Sequence, residues 1–273
     1  MARVALTSSF KSFSKWSAYL LPLLVVMVAG GAIVRLQVDR LTQIEAKADQ
    51  PQTKAEYLRE EQQILASLQL ARKLPALGFD NLVANWSFLS FLQYFGDDKA
   101  RPQTGYRLAP DFFKLIVDRD PRFLGMYSYL SAGVTLYGGK PQETVRLLEQ
   151  GAKSIPPVMQ SEAYFLWQAK GTDELLFLGR SADAQKSYET AADWASKSPS
   201  PERQAIAARS RRTAQFLASN PDSRRARVGS WFNILTNAID DPTRQFAANQ
   251  IKALGGTLTV QNGAVQVRLP KTD

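Results

Sequence analysis

The residues of this chain whose types could carry chemistry are carboxylates, clustered at Asp80, at Asp97-Asp98, at Asp118 and Asp120, and at Asp240-Asp241. Two carboxyl groups held a few Å apart can divide into a general acid and a base, as in glycoside cleavage, or share a hard cation. The rest of the catalytic vocabulary is missing, because the 273 residues include no histidine and no cysteine. A Ser-His-Asp or Cys-His device, a His/Cys zinc site, an iron–sulfur cluster and a Cys- or His-ligated haem are therefore excluded for the chain alone. No DxDxDG loop occurs, and Gly138-Gly139-Lys140 runs into Pro141, so it is a turn and not a phosphate-binding loop. Acids such as Asp118 and Asp120 sit where helices begin or end, and there a carboxylate usually caps backbone N–H groups. The expectation is a protein that is not an enzyme, with no catalytic residue, metal ligand or cofactor.

Charge offers a different handle. The chain has 34 basic and 25 acidic residues, net +9. Much of the excess lies between Arg203 and Arg227, where Arg209, Arg211, Arg212, Arg224, Arg225 and Arg227 could meet anionic lipid headgroups or an acidic protein. A solvated helix face is the plainer reading of the same residues. Nucleic acid is not the expected partner.

The elements that must position these groups begin with an apolar run. Trp16 to Val34 carries no charge and lies between Lys15 and Arg35. A hydrocarbon core about 30 Å thick needs roughly 20 apolar helical residues, so residues 16–34 are expected to span a membrane once, after a basic leader over 1–15. Ala29-Gly30-Gly31 offers small residues for signal cleavage, but the apolar run continues past them and exceeds a signal core of roughly 7 to 15 residues. The basic flanks nearly balance, with a slight lean toward an inside N-terminus and an exported domain. Residues 35–77 read as a juxtamembrane helical stalk, its second helix from about Thr53 to Leu74 with Tyr57, Ile64, Leu65, Leu68 and Ala71 on one stripe.

From 78 to 254 helices alternate with breakers. Phe79 to Phe95 reads as one largely apolar helix, too short for a second span once Asp80 and Asn85 are counted, and predicts a buried core helix, followed by one over about 110–117. Helical pairs follow at 122–137 with 142–154, and at 162–178 with 182–197; further helices are expected at 202–219, 224–239 and 243–253. Pro121 to Pro156 is 35 residues and Pro156 to Pro199 is 43, which fits helix-pair repeats. Residues 255–273 predict a β-hairpin, with alternating strands around Asn262-Gly263.

The repeat region resembles the tetratricopeptide repeat family. The likeness rests on Ala132, Gly139, Thr144, Leu148, Gly151 and Pro156 in one unit, and on Gly179, Ala184, Tyr188 and Ala191 in the next. The four-then-three step of Thr144, Leu148 and Gly151 recurs in Ala184, Tyr188 and Ala191 and places three residues on one helix face. The first-helix Trp and Tyr of the family are displaced and unit lengths differ. The full expectation is thus an all-α chain: a transmembrane helix, then a tetratricopeptide-like solenoid of helical hairpins, then a short β-hairpin. The resemblance implies a membrane-anchored scaffold for protein–protein interaction, of the kind that assembles photosynthetic or other membrane complexes. Tyr127, Tyr164, Phe165 and Trp167 on the first helices are then the expected partner contacts. The alternative is a lipid- or polyanion-binding module acting through Arg203–Arg227.

Overall fold

The computed structural model describes residues 52–219, 223–261 and 264–271, with Leu24, 27–32, 34–35 and 37–38 as a separate helical stretch. The expected leader, the first half of the expected anchor and residues 39–51 of the stalk lie outside the described residues. Among the described residues no helix is long and apolar enough to cross a membrane. The chain divides into two units, residues 1–53 and 54–273.

The second unit is helical except for its C-terminus. Its helices are α1 (Lys54–Lys73), α2 (Asp80–Phe95), the short α3 (Arg101–Thr104), α4 (Ala109–Arg119), α5 (Leu124–Leu130), α6 (Pro141–Lys153), α7 (Gln160–Leu176), α8 (Ser181–Ser196), α9 (Pro201–Ala218), α10 (Arg224–Asn237) and α11 (Asp241–Ala253). Proline opens several of them, at Pro141 and Pro201 for example, where the missing N–H costs nothing and the fixed φ suits the first turn. Asp240 caps α11, its side chain accepting from Thr243 N at 2.9 Å. The expected helix over 122–137 is α5 followed by a π-helical stretch, Ser131–Leu136.

Helices pair in sequence: α2 with α4, the α5–π segment with α6, α7 with α8, and α9 onto α8. One core runs from Leu68 of α1 to Leu166 of α7 and Trp194 of α8, and a smaller one joins Ala195 of α8 to Ile206 and Ala207 of α9. The small residues do what their spacing predicts. Ala184 and Ala191 are buried, whereas Lys186 and Glu189 on the same helix are exposed. A Cβ on Gly151 would lie 1.9 Å from the Tyr127 hydroxyl, so only glycine admits that ring. Tyr188 fills the space over Gly171 and meets Thr172 at 2.9 Å. Replacing Ala184 by Phe should cost about 1 to 3 kcal/mol through overpacking, and Lys186→Ala less than about 0.5 kcal/mol. Equal shifts in melting temperature would mean that α8 is phased differently.

The C-terminal pair, α10 and α11, packs across the turns that join the helices of successive pairs. Gly105, Gly139 and Gly179 occupy those turns at φ of 66, 63 and 66°. Each meets a different part of this pair, which forms a strap over the turns: Asp240 of the joining segment lies against Gly105, Thr243 and Phe246 of α11 against Gly139, and the Arg227 guanidinium of α10 against Gly179. A side chain there would be strained by its backbone and would also hold the strap off. Trp231, at the centre, packs edge-on against Phe177 and Phe246, both at 5.5 Å between ring centroids. The hairpin of β1 (Thr257–Gln261) and β2 (Ala264–Arg268) is antiparallel with Leu258 opposite Val267. Both residues dock on the α10–α11 core, which supplies the burial that an isolated hairpin lacks.

Candidate partner-binding cleft

A cleft of about 720 Å³ opens between α1 and α2, floored by Phe112 and Leu115 of α4. Its lining on α1 runs from Tyr57 to Ala71, four turns or about 21 Å at the helical rise. Trp86 stands at its mouth, 71% exposed.

A buried polar cluster holds the closed end. Glu61 lies on α1 four residues after Tyr57 and is 1% exposed. Its Oε1 accepts from Arg101 Nη1 at 3.0 Å, and its Oε2 accepts from Arg107 Nε. Arg101 also donates to Gly105 O at 2.7 Å, and its guanidinium stacks 3.7 Å from the Tyr94 ring centroid. The Tyr94 hydroxyl accepts from Leu108 N at 3.2 Å and stands 3.3 Å from Glu61 Oε1 and 3.2 Å from Gly105 O. Burial raises the Tyr94 phenol well above its ordinary range, against the opposing pull of Arg101, so its proton stays in place. The short helix α3, which sequence pattern did not anticipate, delivers Arg101 to this cluster.

Away from the cleft, α2 is largely apolar. In sixteen residues α2 carries a single charge, Asp80. Its inward face buries Ala84, Phe91 and Tyr94, while Leu82, Trp86, Leu89 and Leu92 point outward into solvent. The expectation of a buried core helix is thus half right, because one face is buried and the other exposed.

A second polar cluster lies between α7 and the π-helical stretch. Asp173 of α7 is buried, with the Thr135 hydroxyl 2.9 Å and the Ser131 hydroxyl 3.4 Å from its Oδ2. Thr135 is also 2.8 Å from Thr144 Oγ1. Burial pushes the Asp173 carboxyl up to about 7 despite those two hydroxyls, and the neighbouring Glu174 carboxylate adds to the rise. Glu174 itself pairs with Lys170 at 2.6 Å and accepts from the Ser187 hydroxyl at 2.7 Å.

The expected contact residues are not gathered into one surface. Tyr127 is a correction: it is 2% exposed, donates to Pro121 O at 3.0 Å and fills the core beside Gly151. Aromatic rings at helical spacing bury most area by turning inward. Tyr164, Phe165 and Trp167 are half-buried against the core, Trp167 edge-on to Trp194 at 5.8 Å. The arginines are divided as well. Arg209, Arg211 and Arg212 are exposed on α9, where Arg209 and Arg212 edge a hollow of about 400 Å³ with Phe216. Arg224 and Arg225 are exposed on α10, but Arg227 is half-buried at Gly179. Arg203 pairs with Glu162 and lies 5.0 Å from the Tyr164 ring centroid.

The carboxylates are held in caps and ion pairs. Asp80 pairs with Arg119 at 2.8 Å, Asp118 with Arg72 at 2.6 Å and Asp241 with Arg244 at 2.6 Å. Asp97 accepts from Ala100 N, and Asp120 accepts from Arg122 N, both at 3.0 Å. Among the described residues, no group of three or more acids could hold a metal ion.

Sequence reasoning passed over Glu61, Arg101 and the outward face of α2. For Glu61 a signal existed: positions 57, 61, 64, 68 and 71 follow one helical stripe, so its carboxylate falls among apolar neighbours. No protein-family model matches the chain, and no match is found among curated proteins or solved structures.

Proposed function

We propose that this chain is a membrane-anchored helical-repeat scaffold of tetratricopeptide type, which holds a protein partner for assembly or stabilisation of a membrane complex. The observation that carries the reading is the open cleft between α1 and α2. It is long enough for several turns of a partner helix, lined by Ile64, Leu68, Ala71 and Trp86, and bounded by polar Gln63, Ser90 and Gln93. Helix-in-groove recognition uses such a surface, with apolar anchors spaced along the incoming helix. The paired helices with glycine turns support the repeat reading, and the uncharged stretch from Trp16 to Val34 supports the anchor. Tethering would keep the cleft at high effective concentration near membrane partners.

A photo-crosslinking residue at Ser90 or Gln63, in native membranes, should give one defined adduct that survives moderate salt, and the same residue at Lys186 should give none. Adducts only at Arg209 or Arg212, lost as salt screens them, would replace the scaffold reading with the polyanion one.

A further inference from the structure

We propose that the outward face of α2 and the loop before it lie against an anionic lipid bilayer. The inference rests on the anchored part of the function proposed above, since it takes a bilayer to be within reach of the domain.

Leu74, Leu77 and Phe79 project from the α1–α2 loop, and Leu82 and Leu89 continue the surface along α2, with Trp86 on the edge it shares with the cleft; all six are exposed. Leu77 is the extreme case, at 84% exposure and φ of +50°. A large apolar side chain in the left-handed region and mostly in solvent is a protrusion that the core does not explain. The helix itself is apolar on both sides, and such a helix belongs in surroundings that cover both.

Charge selects the covering. At this end of the molecule Arg119 pairs with Asp80 and Arg72 with Asp118, which neutralises both. Lys73, beside the loop, and Arg122, in the turn after α4, are exposed and have no carboxylate partner among the described residues. Phe123, next to Arg122, packs edge-on against Phe88 of α2 at 5.3 Å, which fixes that turn beside the helix. The Asp120 carboxylate, in the same turn, accepts from Arg122 N and leaves one net positive charge at this border; an uncharged apolar face edged by that excess, with a tryptophan on its margin, matches the headgroup–acyl boundary of an anionic leaflet. An irregular tip of three apolar residues needs no shape-matched pocket there, whereas a protein groove would require one.

The absence of cysteine allows a direct test in the full-length chain. Single cysteines at Leu77, Leu82 and Leu89, with Lys186→Cys as comparator and Val28→Cys reporting on the anchor, would carry an environment-sensitive nitrobenzoxadiazole label. Each protein is reconstituted alone into phosphatidylcholine–phosphatidylglycerol vesicles. Labels at 77, 82 and 89 should shift to the blue and be quenched by shallow nitroxide lipids more than by deep ones, in keeping with a depth of about 5 to 10 Å. The label at 186 should remain at its aqueous emission. The Lys73→Gln, Arg122→Gln double variant, or vesicles of phosphatidylcholine alone, should lose most of the quenching at 77. Labels at 77, 82 and 89 that behave like the one at 186 would overturn the proposal. If Val28 is quenched in that case, the anchor stands and only the docked face falls; if Val28 is also unquenched, both fall. Self-quenching of the three labels in detergent, relieved by dilution with unlabelled chain, would show a second copy on this face and would equally overturn it.

Discussion

Glu61→Ala is expected to lower the stability of the helical domain by about 3 to 5 kcal/mol, the cost of leaving a buried charge without its partner. Arg101 is 3% exposed and would keep only Gly105 O as a hydrogen-bond acceptor. Arg107, by contrast, is half exposed and can turn to water. The loss should therefore come from the buried guanidinium, and replacing both partners by apolar residues, as in Glu61→Leu with Arg101→Met, should recover much of it. Thermal melting of the full chain in mild detergent reads both effects. A double variant as unstable as Glu61→Ala would mean that the ion pair positions α3 in a way that apolar packing cannot replace.

The second large effect is a pH dependence centred on Asp173. Its folded-state value of about 7 lies above the ordinary carboxylate value of 3.8. The folded chain therefore keeps a proton that the unfolded chain releases, and its contribution to stability is present below about pH 4. That contribution is lost as pH rises from about 4 to about 7, and the curve is flat above. At about 1.4 kcal/mol per pH unit, the whole window amounts to at most about 4 kcal/mol. Asp173→Asn keeps the shape and an acceptor for Thr135 but has no proton to lose, so it should melt higher than the parent near pH 8. The two should converge toward pH 4. Parallel melting curves across that range would show that Asp173 is ionised in the folded protein, compensated by the Thr135 and Ser131 hydroxyls.

Both predictions fall on residues that local sequence pattern handled poorly. A carboxylate on a helical stripe looks like an interruption of the stripe until the arginine that neutralises it is known. For Glu61 that arginine lies forty residues away, on a four-residue helix with no periodicity of its own. Asp173 has its hydroxyl partners on a π-helical stretch, whose wider turn leaves no mark in an ordinary helical reading. The face of α2 failed in the opposite sense. Its composition implied burial all round, but burial is a property of neighbours, and Leu82, Leu89 and Leu92 are left exposed.

What the sequence determined alone were the features that short-range physics controls. Helical periodicity and prolines at first turns set where the helices run, and the alternating residues around Asn262-Gly263 set the terminal strands. The buried small residues Ala184 and Ala191 followed from a spacing that repeats between helix pairs, and the lack of histidine and cysteine removed whole classes of chemistry without reference to any fold. Only the tertiary structure decided that Tyr127 is core, that Glu61 and Arg101 meet, that Leu82 and Trp86 are left uncovered, and that α10 and α11 close over the glycine turns. Period shows which side chains share a face. Whether that face is covered depends on segments far apart in the chain, whose approach is set by packing of the whole.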